Sequence, residues 1–269
     1  MAILTGALMY VGSFKSIRNY RVQYDPNTYA GEKGGASRVM IMNNPAFART
    51  RENMSEFCGC GFAVRAIRLG LQNLLGDKAD GHFTGRLMKM AKEINLRDVD
   101  GVRGQRSILF SANRGLLINM VFNVTGVNAS EMLQGHFSCS HDLMRTSASL
   151  VVSGLTISPV YVPSGATHFR IQHHLSVVSD YVFSMDSRRY EPACLENGKS
   201  AFGYSAYTSV LSPMEEEVVA AFPSSVPFPF PFPDDCTVLQ CVGVEFFIKT
   251  AGEVYLPCRG GVAKVVMVF

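Results

Sequence analysis

The hydrophobic periodicity of the 269-residue chain changes at about residue 146, and this change constrains the fold more than any other feature. Before it, apolar residues recur about every 3.6 residues in two segments, which predicts amphipathic helices. After it, short alternating or β-branched runs are separated by Gly and Pro, a pattern typical of an antiparallel β-sandwich. We therefore predict an α+β protein, with an N-terminal β-ribbon and two-helix module followed by an antiparallel β-sandwich.

The first predicted domain covers residues 1–125 and begins with an extended ribbon over residues 5–32, rich in aromatic and β-branched side chains. Asn44 and Pro45 are typical of a helix start. The periodicity then predicts two helices, followed by a basic loop and a final strand. The predicted segments are helix Pro45 to Leu75, helix Phe83 to Leu96, loop 98–115 and strand 116–125.

The first predicted helix carries two glycines, Gly59 and Gly61, near its middle. Each glycine in a helix interior costs about 1 kcal/mol in propensity. Their presence is explained if another helix or a neighbouring subunit packs very close to this helix, or if the helix breaks there.

The second predicted domain covers residues 146–269 and contains only strands and turns. The predicted strands are 149–157, 167–173, 205–211, 237–249, 253–256 and 262–269. His168, His173 and His174 lie on or near the second of these strands. Histidines six residues apart on a strand are about 20 Å apart, too far to bind one ion, so we interpret them as surface or interface residues.

A Pro-Phe arm, residues 222–233, interrupts the sandwich domain. Proline lacks a backbone donor, so this segment is neither a helix nor a central strand, and we predict an extended, polyproline-like conformation. Several exposed phenylalanines favour aggregation, so we expect them to dock on this fold or on another copy. The phenylalanines of the arm are Phe222, Phe228, Phe230 and Phe232.

The charge of the chain is unevenly distributed, although the formal net charge is only +3. Residues 1–118 carry 17 Lys and Arg against 9 Asp and Glu, whereas residues 119–269 carry 8 against 13. Opposite charges on one chain favour head-to-tail contacts between copies. The basic part is also a candidate nucleic-acid surface, although several of its cations have the spacing of ion pairs with Glu52 and Glu56. The candidate nucleic-acid residues are Arg49, Arg65, Arg68, Arg86, Lys89, Arg103 and Arg106.

Motifs of enzymes and of nucleotide-binding proteins are absent from the sequence, so we predict no catalytic activity and no cofactor. No apolar run of about 18 residues occurs, which predicts no membrane-spanning helix. The N-terminal apolar residues lack the preceding basic residues of a signal peptide. We expect synthesis in the cytoplasm, with assembly into a particle or release to the outside.

The seven cysteines are odd in number and irregularly spaced, so we interpret them mostly as reduced, buried side chains. His136, Cys139 and His141 form a cluster that, with Cys58 and Cys60, offers metal ligands. Their spacing matches no standard zinc site. We therefore predict no metal, and interpret the His136 cluster as a polar turn between the domains.

The chain resembles an uncharacterised family of Bacteroidota proteins in two stretches of its N-terminal half. The first runs from the turn Glu32-Lys33-Gly34-Gly35 to the helix Phe47-Ala-Arg-Thr-Arg-Glu-Asn-Met-Ser-Glu-Phe57, and the second is Arg103-Gly-Gln-Arg106. The resemblance covers the first 110 residues well and the rest loosely; the Cys58-Gly-Cys-Gly61 continuation and the Pro-Phe arm depart from it. It implies a bacterial or bacteriophage origin and a non-enzymatic role, and carries over no catalytic residue.

These features together predict a non-enzymatic structural subunit that assembles with copies of itself into a filament, tail-like or phage-type particle. We expect contacts through the ribbon, the last strand and the Pro-Phe arm. The expected interface residues are Tyr10, Phe14, Tyr20, Phe269 and the arm residues Phe222, Phe228, Phe230 and Phe232. Two alternatives stay open: a nucleic-acid-binding protein using the basic helices, and a carbohydrate- or surface-binding sandwich using Tyr181, Tyr190, Tyr204 and Tyr207.

Overall fold

The computed structural model describes residues 2–3, 10–124, 129–145, 147–211, 224–225, 233–252 and 254–269. The chain is an α+β protein with antiparallel sheets, which confirms the predicted fold class. It divides into two compact units, Met1–Arg51 and Glu52–Phe269. The boundary predicted between residues 125 and 146 falls inside the second unit, because helices and sheet share one core there.

The first unit contains a four-stranded antiparallel sheet and a short helix. Its strands are β1 (Ala2–Ile3), β2 (Gly12–Phe14), β3 (Ile17–Arg21) and β4 (Thr28–Glu32), in the order β1-β4-β3-β2, and the helix is α1 (Arg38–Asn43). Ser37 caps α1 by accepting a hydrogen bond from the Met40 N–H. Asn44 likewise caps the 3-10 turn Pro45–Phe47, which confirms the predicted helix start.

The two long predicted helices are present. The helices are α2 (Ala48–Gly70), α3 (Gln72–Leu75), α4 (Phe83–Arg97), α5 (Arg114–Ile118) and α6 (Ala129–Met132). Helix α2 continues without a break through both mid-helix glycines. The single predicted helix ending at Leu75 is thus observed as α2 followed by the short α3.

The second unit is built on long antiparallel strands. They are β5 (Leu133–His141), β6 (Ser147–Ile157), β7 (His168–Ser179), β8 (Tyr181–Ser184), β9 (Arg189–Pro192), β10 (Ser200–Tyr204), β11 (Thr208–Ser209), β12 (Ser224–Ser225), β13 (Cys236–Lys249) and β14 (Tyr255–Val268). The large sheet has the order β10-β7-β13-β14, with β11 also paired to β7. A small sheet has the order β12-β6-β5, and β8 pairs with β9.

The large sheet is covered on both faces. On one face, it shares a core with the small sheet, formed by Leu150, Val152, Leu155, Phe169, Ile171, Val242, Val244 and Phe246 among others. On the other face, it shares a core with the helices, formed by Ile67, Leu71, Leu74, Val178, Leu239 and Cys241 among others. The sequence predicted the two sheets, and the structure adds a helical layer to one of them.

Several local predictions are wrong. Residues 116–124 of the predicted strand contain the end of α5 and one isolated bridge from Val121 to Lys264, because Leu117 packs into the helical core instead of alternating along a strand. The predicted polar turn at residues 136–141 is part of β5, which pairs with β6. The predicted strand 205–211 shortens to β11.

The two predicted C-terminal strands are one strand, β14. Gly260 and Gly261, which predicted a turn, lie inside it and mark the irregular pairing with β13. A Cβ at Gly261 would lie 2.5 Å from the Val244 carbonyl oxygen, so only glycine allows this approach.

Candidate functional site

The N-terminal sheet, β1 to β4, carries large apolar side chains that are not buried. Among residues 10–51, only the polar residues Asn19 and Thr28 are buried. Phe14 and Ile17 form a cross-strand pair, yet they are 62% and 49% exposed. The exposed large apolar residues of this unit are Ile3, Tyr10, Val11, Phe14, Ile17, Val22, Tyr24, Val39, Met40 and Met42. Small sheets need a covered apolar face for stability, and the described part of this unit does not supply one.

Turn chemistry fixes the register of the N-terminal sheet. The Asp25 carboxylate accepts a hydrogen bond from the Asn27 N–H at 2.8 Å and another from the Tyr29 hydroxyl at 2.6 Å. The bond from Tyr29 lowers the pKa of Asp25, and the same bond raises the pKa of Tyr29. In this register Tyr20 stacks on Tyr29, with ring centroids 6.0 Å apart. The exposed side chains therefore sit on an ordered strand framework.

Strand β2 is an outer strand of the N-terminal sheet, and its three residues are exposed. An exposed strand edge offers unpaired N–H and C=O groups to another chain. The last strand, β14, is also an outer strand, but Pro257 lacks an N–H and Lys264 is bridged to Val121. Part of the β14 edge is therefore already engaged within the chain, whereas all three residues of β2 are exposed.

The predicted interface residues separate into three groups. Tyr10 and Phe14 are exposed, and Tyr20 is half-buried. Phe269 is 6% exposed, stacks on His141 at 4.2 Å and bonds to the Val238 backbone through its own N–H and C=O. The expected interface role of Phe269 is thus replaced by a role in its own core. The arm residues Phe222, Phe228, Phe230 and Phe232 lie outside the described residues.

The predicted nucleic-acid residues are only partly available. Arg86 pairs with Asp80, Arg103 with Glu52 at 3.2 Å, and Arg106 lies 3.9 Å from Glu56. Arg49 belongs to the first unit. Three exposed residues form no ion pair with any residue that the structure describes: Arg65, Arg68 and Lys89. Ion pairs thus engage three of the six nucleic-acid candidates in the second unit: Arg86, Arg103 and Arg106.

Glu56 is the centre of a buried polar cluster that joins α2, α4 and the loop after α4. Its side chain is 1% exposed; it pairs with Lys92, accepts the Gly104 N–H at 2.8 Å and lies 3.9 Å from Arg106. Burial raises the pKa of Glu56, but the Lys92 hydrogen bond, the Gly104 N–H and the two cations outweigh burial and lower it. Glu56 is therefore an ionised, structural carboxylate.

This cluster brings α2 together with residues 103–106 in the loop after α4. Gly104 has φ of +91° and packs against Glu52, which pairs with Arg103. The Arg106 carbonyl accepts hydrogen bonds from Asn95 and from the Tyr190 hydroxyl. Contacts between the helix motif and the Arg-Gly-Gln-Arg motif therefore hold the loop after α4 against α2.

The candidate metal ligands are dispersed. Cys60 is buried in the helical core, whereas Cys58 is exposed. Across the described ranges, no three His, Cys, Asp or Glu side chains form a group able to hold a metal ion. Cys194 and Cys236 form a disulfide with Cα atoms 6.3 Å apart, and the other five cysteines are free.

The interpretation of His173 and His174 as surface residues is wrong. Both are fully buried on β7, where neighbouring side chains point to opposite faces of the large sheet. His174 donates to the Gly70 carbonyl at 2.7 Å, whereas His173 lies 3.0 Å from the Gln240 amide nitrogen. Burial lowers the pKa of each imidazole to about 4. The alternating apolar residues around His173 and His174 indicated burial on one face of the strand only. The sequence therefore did not predict that both faces of β7 are buried.

One cluster of aromatic residues on the large sheet is partly exposed. We call it the aromatic platform, and it comprises Phe202, Tyr204, Tyr207, Phe247 and Tyr255. Of the tyrosines considered for sugar binding, Tyr204 and Tyr207 belong to the platform, whereas Tyr181 and Tyr190 are buried. Sequence reasoning missed Phe247 and Tyr255, because their proximity depends on the register of β13 with β14.

A comparison with known protein families, with curated proteins and with solved structures gives no match in any of the three. No helix in the described part of the chain is both long enough and apolar enough to cross a membrane, in agreement with the prediction.

Proposed function

We propose that this protein is a non-enzymatic structural subunit that assembles with copies of itself through its N-terminal sheet. The observation that carries the proposal is the exposure of Phe14, Ile17 and the other apolar residues of the first unit. Removing apolar surface from water contributes about 25 cal/mol per Å². Several exposed large apolar side chains on one small sheet are typical of a protein interface.

Charge favours a head-to-tail arrangement of copies. Residues 1–51 carry 7 Lys and Arg against 2 Asp and Glu, whereas residues 52–269 carry 18 against 20. The first unit of one copy is therefore attracted to the second unit of the next. Contacts between two different surfaces generate rings or filaments, whereas contacts between identical surfaces close into dimers. We therefore propose a ring, filament or tail-like particle.

Light-scattering mass tests this proposal on the full chain between 1 and 100 µM protein. We expect the native chain to form species of several times 29.5 kDa, and the variants Phe14→Ser and Ile17→Ser to dissociate. Leu143→Ser is the matched control, because Leu143 is fully exposed in the second unit and should leave the mass unchanged. A native chain that stays monomeric at every concentration, or a control that dissociates equally, would contradict the proposal.

Nucleic-acid binding is a second candidate, favoured by the exposed cations Arg65, Arg68 and Lys89. Three phosphate contacts predict that log affinity for duplex DNA falls with log salt at a slope of about −2.7. The double variant Arg65→Ala, Arg68→Ala should reduce this slope to about −0.9. An unchanged slope would assign the binding to other residues and remove this candidate.

A further inference from the structure

The aromatic platform is a rigid arrangement of rings around one guanidinium group. The Arg170 guanidinium lies 3.7 Å from the ring centroid of Tyr204 and 5.0 Å from that of Phe247. Tyr207 stacks in parallel on Tyr255 with centroids 3.8 Å apart. Glu245 holds Arg170 through an ion pair of 2.8 Å, and Lys78 holds Glu245 at 3.0 Å. These contacts fix the platform before any ligand binds.

The platform presents both apolar and polar groups to solvent. Phe202, Tyr204 and Tyr207 are 41%, 36% and 37% exposed. The platform residues come from β10, from the β10–β11 connection, from β13 and from β14. The platform therefore extends across the strands of the large sheet for about 14 Å. The hydroxyls of Tyr204 and Tyr255 donate to none of the residues described here.

This chemistry fits a proline-rich segment in the polyproline II conformation. Such a segment has no internal hydrogen bonds, so its carbonyls accept bonds from tyrosine hydroxyls while its proline rings pack on aromatic faces. Its backbone is already extended, so it loses little conformational entropy on binding. About five residues of polyproline II, at about 3.1 Å each, match the length of the platform.

The chain itself contains one such segment, residues 223–233. The residues that the structure describes on either side of residues 226–232 lie on the small sheet and just before the start of β13. Ser225 pairs with Ser147, and the Pro233 carbonyl accepts the Cys236 N–H at 3.1 Å. Cys236 begins β13 and Phe247 is eleven residues further along it, a distance of about 36 Å. Eight residue steps from Ser225 to Pro233 extend at most about 29 Å, so this segment of the same chain falls short of Phe247 and Tyr255. Strand β12 contacts β10, so only the Phe202 end of the platform is within its reach.

We propose that the aromatic platform binds the proline-rich segment, residues 226–232, of a second copy of this chain. This inference rests on the proposed self-assembly and adds a contact to it: the N-terminal sheet supplies one interface, and the platform with the arm of a neighbour supplies another.

A fluorescein-labelled synthetic peptide of residues 223–233 tests the proposal in a polarisation titration. The titrated protein is the full chain carrying Phe14→Ser and Ile17→Ser, so that binding is measured independently of assembly through the N-terminal sheet. We expect saturable binding that weakens at least tenfold in Tyr204→Ala and in Tyr207→Ala. Tyr24→Ala is the matched control, because Tyr24 is 97% exposed in the first unit, and it should leave binding unchanged. A peptide with Gly in place of every Pro should also bind at least tenfold more weakly.

A photo-crosslink locates the site without altering the platform. The same peptide with benzoylphenylalanine in place of Phe230 should crosslink to peptides that contain residues 202–207 or 245–255. Absence of saturable binding, equal binding by the platform variants and the control, or crosslinks confined to other regions would overturn the proposal. Failure of this test with assembly intact would overturn the platform proposal and leave the N-terminal interface standing. A native chain that stays monomeric at every concentration would overturn both proposals.

Discussion

Gly59 of α2 lies directly against the ring of Tyr190 on β9, so closely that a Cβ on Gly59 would be 2.5 Å from the Tyr190 Cγ. The Tyr190 hydroxyl in turn donates to the Arg106 carbonyl at 3.0 Å. Burial, the largest of several causes, raises the pKa of this hydroxyl far above its usual value. The glycine in mid-helix thus allows a strand of the same chain to pack on α2, where the sequence suggested another helix or a subunit.

Replacement of Gly59 by Ala should destabilise the protein, whereas replacement of Gly61 by Ala should not. A methyl group at position 59 overlaps the Tyr190 ring, and overpacking of this kind costs about 1 to 3 kcal/mol. Gly61 is the matched control, because no atom lies within 4 Å of its added Cβ. Gly61→Ala should therefore gain up to about 1 kcal/mol from helix propensity. Urea unfolding of the two variants measures the difference, and equal stabilities would contradict the packing of Tyr190 on α2.

Glu56→Gln should lower the free energy of unfolding at pH 7 by about 3 kcal/mol, because it removes the buried partner of Lys92. Glu93→Gln is the control, since the Glu93–Arg97 pair is half-exposed and contributes less than about 0.5 kcal/mol. The folded pKa of Glu56 is below the unfolded value of about 4.5. Its ionisation therefore stabilises the fold above that pH, and this contribution is lost as pH falls through the folded pKa. A loss in Glu56→Gln that matches the loss in Glu93→Gln would contradict this role.

The buried His173 and His174 should make stability fall with acid between pH 6 and pH 5. Each has a folded pKa of about 4, whereas an unfolded histidine has a pKa near 6.5, so the unfolded chain binds more protons in this range. Two such groups predict a decrease in the unfolding free energy of about 2.3 kcal/mol from pH 6 to pH 5. His174→Gln should halve this decrease, and Gly61→Ala, which keeps both histidines, should retain it. A decrease that does not change in His174→Gln would show that other groups cause the acid sensitivity.

The elements with strong periodicity could be predicted from the sequence, and contacts between distant residues could not. The Asn44-Pro45 start and the apolar period of 3.6 gave the helices, and alternation gave β7 and β13. The prediction of a strand at residues 116–125 was wrong, because a continuous apolar run has no periodicity that distinguishes a helix from a strand. The single strand β14 was missed because Gly260 and Gly261 are as typical of a bulge as of a turn.

The candidate site was only partly visible in the sequence. Tyr10 and Phe14 were identified from their place in an aromatic ribbon, and both are exposed. The burial of Phe269 depends on its pairing with Val238, which no local pattern reveals. The aromatic platform likewise depends on strand register, since Tyr207 lies 40 residues before Phe247 in the sequence.

Hydrogen exchange measured at two protein concentrations reports directly on the N-terminal sheet and on whether copies assemble through it. The account predicts that amides of residues 12–21 and 28–32 exchange at least tenfold more slowly at 100 µM than at 1 µM, whereas amides of β13 do not change. Fast exchange of the N-terminal strands at both concentrations, with a scattering mass of 29.5 kDa, would contradict assembly through this sheet.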